Sequence, residues 1–142
     1  MLESRLDSMF RSLLSVVAGI VVLTIAAFAI EAAVNPLLLW AFPRALPTPE
    51  SLLSNPWAKA MTFSYGFLCV AAGGYVTAKL APRRPLRHTA ALGITQAALT
   101  LAAMVSPEGR RASQLQWIAI AVLSIPSALA GGWLYVRRNS GS

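Results

Sequence analysis

A chain of 142 residues with 56% of them hydrophobic and only 12% charged departs far from a soluble domain, in which about a quarter of residues carry charge. A mean hydropathy of +0.61 and the arrival of the apolar residues in four long blocks exclude an ordinary soluble globule and describe an integral membrane protein. The net charge of +7 is scattered over several flanks with no soluble unit to present it, which excludes nucleic acid as a partner and makes the lipid bilayer the expected one.

The uncharged stretches run from Ser12 to Ile30, Ala60 to Ala78 and Thr89 to Pro107, 19 residues each, and from Ala112 to Val136, 25 residues. At about 1.5 Å rise per residue, such a stretch reaches about 28 Å, close to the hydrocarbon thickness of a bilayer. Barrel strands would need alternating polarity, which these blocks lack. The expected fold is therefore all-α, a four-transmembrane-helix bundle made of two consecutive helical hairpins. One membrane domain covers 1–142, with helices over 12–34, 57–80, 88–106 and 114–136.

In the first block, Ala27-Phe28-Ala29 fits a signal-peptidase site, but Glu3 and Asp7 in the preceding flank and the length of the apolar run favour a retained helix. Val21 and Leu23 are placed on its lipid-facing side. Glu31 follows at once, with apolar residues again beyond it. Counted from Ser12 it lies about 28 Å along the helix, so it is expected as an interfacial carboxylate near headgroup water or Arg44. A deeper position would make it a group that binds protons or a cation.

The first connection, 35–55, carries Pro36, Pro43, Pro47 and Pro49, which forbid a continuous helix. Thr48-Pro49-Glu50 predicts a short surface helix over 49–54, and Asn55-Pro56 repeats this start signal before the second span. The run Leu37, Leu38, Leu39, Trp40 and Phe42 is expected to lie in the outer interface.

The second span sets Gly66, Val70, Gly74 and Ala78 four apart, with Gly73 alongside, a pattern that allows close helix contact in lipid. Cys69 lies inside it without a partner and reads as an inert thiol. The third span places Thr89, Gly93, Gln96 and Thr100 on one face. His88 at its start has no second metal ligand nearby in sequence. The fourth repeats the small-residue row with Ser124, Ala128 and Gly132, flanked by Ser127 and Gly131. Pro126 there frees one carbonyl, which Ser124 or a neighbour is expected to satisfy. Ala72-Gly73-Gly74-Tyr75 and Ala130-Gly131-Gly132-Trp133 recur 58 residues apart, which fits either a duplicated hairpin or convergence on a packing pair beside an interfacial aromatic.

Eight of the basic residues (Arg5, Arg11, Lys79, Arg83, Arg84, Arg87, Arg137 and Arg138) flank one side, against four (Arg44, Lys59, Arg110 and Arg111) on the other. Flanks rich in Lys and Arg stay inside, so both termini are expected in the cytoplasm. Trp57 and Trp117 then mark the outer helix ends, and Tyr75, Trp133 and Tyr135 the inner ones.

The run Gly73-Gly74-Tyr75-Val76-Thr77-Ala78-Lys79-Leu80-Ala81-Pro82-Arg83-Arg84-Pro85-Leu86-Arg87-His88 resembles a pattern seen in small, uncharacterised bacterial four-helix membrane proteins. The resemblance implies a bacterial cytoplasmic membrane and carries no activity with it. The residues around Glu31 do not reproduce the motif of small multidrug transporters, nor do the helices hold the arginine signature of membrane glutathione transferases.

A carboxylate, a thiol and an imidazole at separate depths make no nucleophile and base pair. No enzyme, cofactor or metal is expected, and the first reading is an accessory or assembly subunit that packs with itself, as a homo-oligomer, or with a larger membrane complex. The alternative is a small proton- or cation-coupled transporter using Glu31, with Gln96 and Thr100 along a polar path.

Overall fold

The computed structural model describes residues 2–107, 109–111 and 113–140. Ala112, where the fourth block begins, and the side chains of Glu3 and Arg111 lie outside them. Among the described residues five α-helices follow in order: α1 Leu2–Ala41, α2 Ser51–Ser54, α3 Pro56–Leu80, α4 Pro85–Met104 and α5 Gln114–Ser140, with a 3-10 turn at Gly109–Arg111. Among the described residues there is no strand.

α1 departs most from its expected bounds of 12–34. Its 40 residues run through Pro36 and extend about 60 Å. Pro36 removes a single backbone donor, and within an apolar run a helix lacking one bond still satisfies more backbone than a loop in lipid would. Packing secures the extension, because Leu38 is buried against Leu46 and Ala58 in a small core of its own. The connection expected over 35–55 thus starts at Phe42. Its carbonyl accepts from the N–H groups of Ala45 at 3.1 Å and Leu46 at 2.9 Å, and its ring stands edge-on to Trp57 at 5.2 Å.

α2 is shorter than the predicted 49–54, and Glu50 rather than Thr48 precedes it, without a side-chain cap. The Glu50 carboxyl is held below the usual carboxylate range by a backbone N–H, its own, and by the Thr48 hydroxyl. α3 begins as predicted, with Pro56 first and the Asn55 Oδ1 accepting from Trp57 N–H at 3.1 Å. α4 starts three residues before its expected 88, because Arg84 takes a left-handed turn at φ 52° and Pro85 occupies the first position. It stops two residues short of 106. The Ser106 hydroxyl there donates to the Ala103 carbonyl at 2.7 Å and accepts from Gly109 N–H at 3.0 Å, closing the chain into a turn. α5 outruns its expected 136 to reach Ser140, since neither glycine nor proline interrupts residues 137–140.

Three helices, α1, α3 and α5, are long and apolar enough to cross a membrane. α4 falls outside that set because Arg87 and His88 occupy its first turns and it ends at Met104.

The small-residue rows meet inside the molecule. α3 packs against both α1 and α5, α5 against both α3 and α4, and α1 touches α4 over a shorter stretch. A Cβ on Gly74 would lie 3.0 Å from the Ala128 Cα, one on Gly93 2.9 Å from the Ile125 Cα, and one on Gly132 2.7 Å from the Thr89 hydroxyl oxygen. Gly131 presses on the Ala71 backbone and Gly73 on that of Gly19. Gly66 departs from its expected role, for nothing lies within 4 Å of its Cβ direction. Leu23 is a second correction. It is 6% exposed and forms the central core with Val70, Leu92 and Ala128, one residue from each long helix, whereas Val21 is 48% exposed as expected.

The two Gly-Gly pairs do not play matching parts. Under the 58-residue register Gly73 corresponds to Gly131, yet Gly73 faces α1 while Gly131 faces α3; Gly74 faces α5 and Gly132 faces α4. Each pair lets one helix approach two neighbours, but in the opposite order, which fits convergence better than duplication. Nor do the hydroxyls near Pro126 serve its freed Val122 carbonyl. Ser124 donates to Ile120 at 2.7 Å and Ser127 to Leu123 at 2.8 Å.

Candidate functional site

On α1, residues Ser15, Gly19, Leu23, Ala27 and Glu31 follow one another four apart and share a face. The first three are buried, and Ala27 and Glu31 are half-buried. This row is the one that α3 and α4 cover. Glu31 therefore belongs to the packed face of the helix and lines a cleft with Gln96, where an outward direction toward Arg44 was expected. The expected helix ended soon after Glu31, whereas ten further helical residues, up to Ala41, lie beyond it, about 15 Å of rod.

Glu31 and Gln96 line two neighbouring clefts. The first, about 370 Å³, opens between α1 and α4 and is bordered also by Thr24, Phe28, Thr100 and Trp117. The second, about 190 Å³, lies among all four long helices, with Glu31 from α1, Tyr65 and Cys69 from α3, Gln96 from α4 and Ser124 from α5. Leu23 and Ala27 form the apolar floor that both share. In a chain this poor in polar residues, each long helix thus gives at least one polar or polarisable side chain to the same space. Polar groups at that depth are costly and are retained for helix cohesion or for a function.

The partners of these groups differ. Thr100 donates to the Gln96 carbonyl at 2.8 Å, so the threonine, placed on the polar face as predicted, is already occupied. The Tyr65 hydroxyl oxygen is buried and has no hydrogen-bond partner. Cys69 is a buried free thiol in the same cleft as Glu31, so carboxylate and thiol share a depth, contrary to the expectation from the sequence. His88 stands apart, at the opposite end of the bundle, with Nδ1 3.3 Å from the Arg84 carbonyl.

No protein-family model, characterised protein or solved structure matches this chain. The reading of the site rests on its own residues.

Gln96 and Thr100 occupy the face predicted for them, and Ser124, Ala128, Gly131, Gly132, Gly93, Gly73 and Gly74 are packed or buried. The sequence reading missed Tyr65 and Gly19, and it took Cys69 for an inert thiol with no place in the site. The four-residue spacing from Ser15 to Glu31 carried the needed signal, because it places Glu31 in line with a small residue that only a close helix crossing requires.

Proposed function

We propose that the chain spans the bilayer of a bacterial cytoplasmic membrane four times, with both termini inside, and that it is a small transporter whose Glu31 binds a proton or a small cation. The observation that carries this reading is the cleft shared by Glu31, Tyr65, Gln96 and Ser124, one polar group from each long helix. A carboxylate in that setting gives negative charge, and the hydroxyls and the amide give further oxygen ligands, which suits a proton or a monovalent cation. It is non-enzymatic in this reading, since the ion is carried across without chemical change.

A fourth crossing by α4 is supported by its pairing with α5. Thr89 sits at Gly132 and Gly93 at Ile125, and at the far end Trp117 Nε1 donates to the Gly109 carbonyl at 2.9 Å. A helix matched to α5 along this length has to share its depth. At about 30 Å, its 20 residues are long enough. Arg87 and His88 then stand at the inner surface among the other basic flanks, as the excess of inner Lys and Arg favours.

The accessory reading, a homo-oligomer or a subunit of a larger complex, stands second. Gly66 favours it, because alone among the described glycines it leaves open space beside a row otherwise packed within the molecule.

Reconstituted vesicles loaded with a pH-sensitive dye test the first reading. A proton or sodium gradient should be dissipated by the protein, and Glu31→Gln should abolish this while Glu50→Gln, at the exposed loop, does not. Equal flux through both variants, or none through the unaltered protein, would leave the accessory reading, which purification from native membranes with a stoichiometric partner would then support.

A further inference from the structure

At the end of the bundle opposite to the α2 loop, α1 stands away from the connection between α3 and α4, leaving a cleft of about 720 Å³. Its walls carry Arg5 and Arg11 from α1, Arg83 from the connection and His88 from α4, against a single carboxylate, Asp7. The cleft thus holds three arginines against one carboxylate, and the arginines come from two separate elements. Ser8 and Ser12 spend their protons on α1 carbonyls, Arg5 at 3.0 Å and Ser8 at 2.8 Å, so their oxygens remain acceptors there.

Two apolar grooves adjoin this cleft and share residues with it. One, through Ser8, Ser12 and His88, passes into a surface made by Met9, Leu13, Val16 and Ala91. The other, through Arg11, passes along Leu14, Ala18 and Leu80. A cationic pocket leading into two apolar channels has the polarity of a two-chain amphiphile with an anionic head. We infer that it binds an anionic phospholipid, its phosphate held by Arg11 and Arg83 and its acyl chains lying on either side of α1.

The chemistry favours phosphate because a guanidinium presents a planar fork of donors to two of its oxygens. A free phosphate would satisfy the arginines equally well but would leave both grooves unfilled, which is why the occupant is a lipid. The placement also fits the membrane. Arg11 immediately precedes the first apolar block, and Arg83 lies just past the end of α3, so both sit where headgroups lie. The inference uses the membrane setting but does not depend on what Glu31 does.

The test measures melting of the detergent-purified protein with added phosphatidylglycerol, phosphatidylcholine, or inorganic phosphate. Phosphatidylglycerol should raise the melting temperature in a saturable way and the other two should not. The pair Arg11→Gln/Arg83→Gln should weaken the apparent affinity by about a hundredfold, as the loss of two charge-assisted hydrogen bonds to the phosphate implies. A pair of equal charge loss at the same end, Arg137→Gln/Arg138→Gln, should change it less than about threefold. Equal losses in both pairs would mean diffuse attraction to basic flanks and would overturn the site. Protection by inorganic phosphate as strong as by phosphatidylglycerol would overturn the lipid as occupant, and no protection by phosphatidylglycerol would overturn both. If the Gln pair does not fold, the exposed Arg83→Gln alone carries the same comparison.

Discussion

Gly19 and Gly73 face each other with no room for a side chain on either. A Cβ on Gly73 would lie 2.7 Å from the Gly19 carbonyl oxygen, and one on Gly19 would lie 2.9 Å from that of Gly73. This reciprocal contact sets the approach of α1 to α3, and through it the position of Glu31, three turns further along the same row.

Gly19→Leu and Gly73→Leu should each lower stability in detergent by about 1–3 kcal/mol, because a backbone has to move to admit the side chain. Gly66→Ala should instead leave melting unchanged or raise it by up to about 1 kcal/mol, since alanine is the better helix former and meets nothing there. Equal destabilisation at all three positions, read by thermal unfolding, would show that α1 and α3 are not joined through this crossing.

The class of fold and the faces of α4 and α5 were legible because lipid rewards only two signals, apolar length and small-residue spacing, and both stand in the sequence. The course of α1 beyond Pro36 was not. Proline statistics come from water, where a broken helix finds solvent for its carbonyls, while here Leu38 gains a core with Leu46 and Ala58 by staying helical. The direction of Glu31 was legible only from the four-residue row that begins at Ser15. Tyr65 and Cys69 entered the site through α3, whose sequence reads as almost uniformly apolar around them, so no pattern marked either.

At the end of the bundle that carries α2, Asn55→Ala removes the side-chain acceptor for Trp57 N–H and should cost about 1 kcal/mol. Trp117→Phe removes the donor to the Gly109 carbonyl and should cost about 0.5–1.5 kcal/mol. Asn139→Ala at the exposed end of α5, where the amide only returns to the Tyr135 carbonyl, should change melting less than either. A ranking led by Asn139 would mean that the connections at the α2 end contribute little to the fold.

Sidedness can be read with single cysteines on a Cys69→Ala background, a replacement that the buried position tolerates by size. An impermeant thiol reagent applied to intact cells should label cysteine placed at the exposed Ser54 or Ser113 and miss one at the exposed Ser140. The opposite pattern would reverse the topology. Labelling of Ser54 and Ser140 without Ser113 would show that α4 does not cross.

Stability gives a test of Glu31 that needs no knowledge of a substrate. Polar groups on the packed faces of membrane helices are retained at some cost in stability where activity gains from them. Glu31→Gln keeps the shape and removes the charge, so the variant should melt at the same temperature as the unaltered protein or higher. Glu31→Ala should show the same sign, reduced by the lost packing of its methylenes. If Glu31 instead anchored the bundle, both variants would melt lower, by about 1–3 kcal/mol for a broken charged hydrogen bond, and the carboxylate would be structural. Higher melting joined to lost ion flux is the combination expected of a transport site, since a group kept for activity need not help the fold.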